Sequence, residues 1–156
     1  MFSSSFTSAT VLLVAQGMDV APHLNVITSQ IIGAAIEVHR HLGPGLLEST
    51  YTPCMQYELR ACGLEFAAQR ALPLVYKELL LANSYRVDLI VGGEVLVELK
   101  CVDRVLPVHE AQLLTYLRLT GCPLGLLINF NVAKLVDGVK RRANTHPRTS
   151  DGLPSP

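Results

Sequence analysis

The chain has 156 residues, enough for one domain with a sizeable core, and a composition of 49% hydrophobic and 17% charged residues reads as globular. Its 13 basic residues balance its 13 acidic ones, so no global basic field draws in nucleic acid, and any such binding must rest on a local patch or a metal. Four cysteines, Cys54, Cys62, Cys101 and Cys122, stand far apart without a C-x-x-C, which excludes the usual spacing of a zinc knuckle or iron–sulfur cluster and reads as reduced, mostly buried thiols of a cytoplasmic protein.

Residues 1–24 are rich in Ser and Thr around a short apolar run and are expected to be a disordered extension. A signal peptide would want a positive start, and the first Lys or Arg is Arg40. No run approaches the roughly 20 apolar residues of a membrane span, so no membrane partner is expected. Thr28 can N-cap a helix over 28–41, with Ile31, Ile32, Ala35, Ile36 and Val38 on one side. Its His39 and His41 are two apart, off a common face, and expected to be exposed; Glu37 with His39 is a candidate outer contributor to a site. Gly43-Pro44-Gly45 stops this helix. A second helix is expected over 47–61, ending before Gly63, with Pro53 tolerable only near the first turn. Glu48 and Tyr51 share a face there. Tyr51 reads as a packing and hydrogen-bonding residue, and Glu48 could be no more than a glutamate favoured by the helix dipole. The stretch 65–76 reads as a strand in which Pro73 needs an edge or a bulge.

Residues 85–100, Y-R-V-D-L-I-V-G-G-E-V-L-V-E-L-K, organise the rest. Two β-rich runs flank Gly92-Gly93, a hairpin signal. A two-residue loop would put Asp88 and Glu98 on opposite sides of the sheet. It would also separate the alternating apolar sets Val87, Leu89, Val91 and Val95, Val97, Leu99, which need one shared face. A three-residue loop, Gly92-Gly93-Glu94, pairs Val91 with Val95, Leu89 with Val97 and Val87 with Leu99. Asp88 then opposes Glu98, with Lys100 two residues on along the same face. Opposed carboxylates repel by roughly 1 to 4 kcal/mol in water-like to surface-like dielectric. A divalent cation removes that cost, and hard oxygen donors suit Mg²⁺ or Mn²⁺ better than Zn²⁺. The other reading of these residues is a solvated face with a Glu–Lys or Asp–Lys pair and no metal.

Beyond a polar loop, a helix is expected from about His109 to Thr120, with Gly121 as C-cap and Pro123 beyond. Gln112 and Tyr116 are four apart and project together; from spacing alone, a solvated Gln112 and a core Tyr116 fit equally well. Residues 124–129 form a wholly apolar strand expected inside the sheet. Residues 131–142 are ambiguous between helix and strand, and Lys140-Arg141-Arg142 could touch phosphate or merely solubilise the end. A disordered tail is expected over 144–156.

Asp88 followed by Glu98-Leu99-Lys100 resembles the D…E-x-K core of the PD-(D/E)XK nuclease superfamily, with Val87 where the name-giving proline would stand. Gly45-Leu46-Leu47-Glu48-Ser49-Thr50-Tyr51 resembles the motif of the GxxExxY family, a group within that superfamily. The likeness runs from about residue 25 to 142 and takes in I-I-G-A-A-I-E-V-H, H-E-A-Q-L-L-T-Y-L and L-I-N-F-N-V. It implies an α/β, restriction-endonuclease-like domain over 25–143, with a mixed sheet of about four strands between helices on both faces in the order α-β-β-β-α-β. It further implies a metal-dependent nuclease acting on nucleic acid, DNA in the first place. Asp88, Glu98 and the Leu99 carbonyl would bind Mg²⁺ or Mn²⁺, Lys100 would position the attacking water, and Glu48 would join the metal site directly or through water. Gln112 and Tyr116 resemble the Q-x-x-x-Y of RecB-type nucleases, which implies support of the site and placement of substrate. The alternative is a nucleic-acid- or protein-binding module that keeps the nuclease fold without turnover; a homo-oligomer is open in either case.

Overall fold

The computed structural model describes residues 20–146. Residues 1–19 and 147–156, which hold most of the expected extension and tail, lie outside it.

Helix α1, Pro22–Leu42, starts well before Thr28. Pro22 sits in its first turn, where a fixed φ suits the helix and a missing N–H costs nothing. Thr28 therefore caps nothing: it is buried inside the helix, and its hydroxyl donates back to the Leu24 carbonyl at 2.9 Å and the Asn25 carbonyl at 3.1 Å. Leu24, expected in the extension, is a core residue instead. Helix α2, Glu48–Ala61, follows the glycine-rich turn and carries Pro53 beyond its first turn. The helical N–H missing there leaves the carbonyl of exposed Ser49 to solvent, which makes the break tolerable.

Five strands form one sheet in chain order: β1 Phe66–Tyr76, β2 Leu79–Val91, β3 Val95–Lys100, β4 Leu124–Asn129 and β5 Val139–Ala143. Pairing is antiparallel except between β3 and β4. Those two are joined by helix α3, Pro107–Thr120, the crossover that parallel neighbours require. Gly121, at φ 73°, ψ 7°, ends α3 and donates its N–H to the Leu117 carbonyl. Strand β5 is an addition to the expected four. It follows a 3₁₀ turn, Leu135–Gly138, in the segment whose sequence suited neither element clearly. Pro73 lies on the edge strand, where the register shifts between Leu72 and Leu74, so its missing N–H breaks no ladder.

Alternation along the strands sorts the core into two layers. Leu89, Val91, Val95, Val97 and Leu99 pack under α1 and α2 with Ile31, Ile32, Tyr51 and Met55. Ile90, Leu96 and Leu127 pack under α3 with Leu113, Tyr116 and Leu117. The sheet thus has helices on both faces. The thiols are more open than expected, with Cys122 buried, Cys54 and Cys101 half-buried and Cys62 exposed, all of them free.

Candidate active site

The site begins at the β2–β3 turn. Gly92 and Gly93 both take positive φ, 60° and 70°, which a Cβ would oppose, and the Glu94 N–H closes the turn on the Val91 carbonyl at 3.1 Å. The register then runs Val91 with Val95, Ile90 with Leu96 and Leu89 with Val97, as burial patterning requires. Past Leu89 and Val97 the backbone ladder ends and the acidic side chains take over. The Asp88 N–H donates to Glu98 Oε1 at 3.1 Å, and the Leu99 N–H donates to Asp88 Oδ2 at 2.8 Å. Each carboxylate thereby satisfies a backbone donor of the opposite strand. Val87, expected opposite Leu99, packs instead in the α3 layer, because the ladder that would hold that pair has already ended.

Burial sets the electrostatics. Glu98 is 4% exposed; desolvation first, and then the charge of Asp88, push its pKa up to about 8 against the pull of the Asp88 N–H and Lys100. Asp88 is also raised by burial, while the Leu99 N–H, Lys100, the Gln69 amide and Glu98 hold it back. Near neutral pH the pair therefore keeps a proton. Lys100, next along β3, favours the charged forms of Asp88, Glu98 and Glu48 alike. Glu48 opens α2, half-buried, with its pKa raised by burial and by the charge of Asp88. It stands within Coulombic reach rather than in a shared cage, since no group of three His, Cys, Asp or Glu side chains among the described residues could hold an ion. Its charge also helps raise Cys101, chiefly lifted by burial, to about 11.

A family model for the PD-(D/E)XK nuclease superfamily matches residues 25–142, most of the chain. The chain belongs to that superfamily. No curated protein and no solved structure matches it. The mixed five-stranded sheet between helices is the restriction-endonuclease-like architecture of a PD-(D/E)XK protein.

In this PD-(D/E)XK domain, α3 brings Gln112 and Tyr116 to the carboxylates. Gln112 Nε2 donates to the Tyr116 hydroxyl at 2.8 Å, and that hydroxyl is close enough to Glu98 and Asp88 for their charge to raise its pKa, after burial. Tyr116 meets Tyr85 edge to face, with ring centroids 5.7 Å apart. The two rings, with Gln112, His109 and Thr115, line an open cleft of about 330 Å³.

Other expected contributors lie elsewhere. Tyr51 is fully buried, stacks on Phe130 at 4.4 Å and donates its hydroxyl to the Gly43 carbonyl. His39 is half-buried rather than exposed, because its ring nitrogen meets the Val132 carbonyl at 2.8 Å. Glu37 pairs with Arg40 and His41 at the surface. Lys140 and Arg142 both pair with Glu110, and Arg141 is buried with a bond to Asn25.

Two neighbours of the site escaped sequence reasoning. Asn129, 2% exposed at the end of β4, accepts from the Val102 N–H at 3.1 Å and donates to the Val102 carbonyl at 2.8 Å. It clamps the backbone just past Lys100. A lone amide closing an apolar strand was the available signal. The other is Gln69, on β1 level with Asp88; β1 is exposed along nearly its whole length, so no burial alternation fixed its register beforehand.

Proposed function

We propose that this protein is a nuclease that hydrolyses phosphodiester bonds of nucleic acid, DNA in the first place, with Mg²⁺ or Mn²⁺ held by Asp88, Glu98 and the Leu99 carbonyl. The observation that carries the reading is a pair of carboxylates, each bonded to a backbone N–H of the opposite strand and both raised in pKa by burial, Glu98 further by the charge of Asp88. Such a pair fits a hard dication, which takes one or two carboxylates and fills its remaining positions with water and substrate. A cation bound there would supply Lewis acidity to the scissile phosphate. Lys100 orients the attacking water and offsets charge building on the phosphate. Glu48 supports the cation through water, in line with the Coulombic influence of Asp88 and Lys100 on its carboxyl and with the likeness of Gly45, Glu48 and Tyr51 to the GxxExxY motif. Gln112 and Tyr116 hold the substrate against the carboxylates from the α3 side.

A second reading, a binding module without turnover, draws on the lack of a net basic field. Lys140 and Arg142 are engaged by Glu110, and net charge is zero. Incubation of the pure protein with labelled single-stranded DNA, duplex DNA and RNA, in Mg²⁺, Mn²⁺ or EDTA, separates the two. Cleavage that disappears in EDTA supports the nuclease; binding without cleavage in every cation supports the module. Localisation to the cytoplasm is part of the same proposal, and no helix among the described residues is long and apolar enough to cross a membrane.

A further inference from the structure

Two residues other than glycine have positive φ among the described residues, Gln69 at 53° and Lys77 at 52°. Lys77 needs no special account. It lies in the tight turn between paired Tyr76 and Leu79, where a left-handed residue is ordinary. Gln69 lies in mid-strand. The register is unchanged on either side of it, Ala68 with Leu89 and Arg70 with Val87, and between Phe66 and Leu72 the pairing lapses where Gln69 would meet Asp88. Neither a turn nor an extra residue requires the left-handed backbone, and the side chain is exposed, so core packing does not impose it. A strained conformation of this kind persists only where something offsets it. We infer that Gln69 is a positioning residue for the cation site, its backbone turned so that its side-chain amide reaches Asp88 from the open edge of the sheet and fixes the carboxylate for metal. The Gln69 side chain is close enough to Asp88 to interact with its carboxylate.

The inference rests on the cation reading above. The test is Mn²⁺ binding to the intact protein without substrate, followed by calorimetry and by the spin resonance of free Mn²⁺. Melting temperatures of the metal-free proteins are taken alongside. Gln69→Gly removes the amide and relieves the backbone; Gln69→Asn tolerates the same φ but is one methylene too short to reach. Both variants should melt at or above the wild-type temperature and bind Mn²⁺ at least about tenfold more weakly, the usual lower bound for losing a partner of a metal ligand. Wild-type affinity in either well-folded variant overturns the inference alone. Unfolding of both makes Gln69 a structural residue and also overturns it. A wild-type protein that takes up no Mn²⁺ overturns the cation reading, and this inference with it.

Discussion

At Asp88, Glu98 and Lys100, the requirements of folding and of chemistry point in different directions. Asp88→Asn and Glu98→Gln keep shape and retain an oxygen for the Leu99 and Asp88 N–H groups, while removing repulsion and desolvation cost. Both variants should lose cleavage and leave the metal-free melting temperature unchanged or slightly raised, a trade expected at a preorganised charged site. Lys100→Ala should also abolish cleavage. Metal-free unfolding of the two amide variants in thermal melts would mark the carboxylates as structural partners and favour the binding module. The pH dependence follows from Glu98, whose folded pKa of about 8 stands above its ordinary 4.5. Between those values the folded chain holds a proton that the unfolded chain has released, so stability is fully present at the acidic end and falls as pH rises through the window. Thermal melts of the metal-free protein should show that fall, and Glu98→Gln should flatten it. Cation binding at pH 7 should release this proton, seen as a binding heat that varies with the ionisation enthalpy of the buffer. A heat independent of buffer would count against Glu98 as the protonated ligand.

The hairpin was legible as an element because two independent signals agreed. Paired glycines marked the turn, and two sets of alternating Val and Leu admitted only a register with an even sum. Helix α1 was less legible, since Thr28 looks like a cap while its hydroxyl bonds backward inside the helix, and the true start at Pro22 follows a stretch rich in Ser and Thr. Strand β5 was hidden by Lys140-Arg141-Arg142, whose charges read as surface although Val139 and Arg141 are buried. Register on β1 could not be derived at all, because an exposed edge strand has no apolar face to phase it. The element that the site depends on is also the one packed on both faces. Val97, fully buried beside Glu98 but on the α1 side, can be cut without touching the carboxylates. Val97→Ala should cost about 1 to 3 kcal/mol in denaturant melts through lost burial and a residual cavity. Cleavage per folded molecule should stay near wild type; a loss matching that of Asp88→Asn would mean that the cation geometry depends on this layer of the core.

At the scale of the whole molecule, the site joins parts of the chain that are far apart in sequence. Glu48 comes from the first turn of α2, Asp88 and Glu98 from the central hairpin, Gln112 and Tyr116 from α3, and Asn129 fastens the exit of β3. The full set is assembled only by folding, so a cation bound by it favours the folded state by mass action. At about 100 times the dissociation constant the gain is about 2.7 kcal/mol. The melting temperature should therefore rise with Mg²⁺ or Mn²⁺ concentration and level only logarithmically. Asp88→Asn should abolish that rise even though its metal-free stability is undiminished, because it removes a ligand charge and leaves the fold intact. Asn129→Ala should behave in the opposite way. It leaves the Val102 N–H and carbonyl without their buried partner, a loss of about 1 to 3 kcal/mol per group, so the metal-free protein should melt earlier, while the carboxylates remain and the shift on adding Mn²⁺ survives. Millimolar Mn²⁺ that moves no melting temperature in the wild-type protein would remove the cation from the site, and with it the nuclease reading built on Asp88 and Glu98.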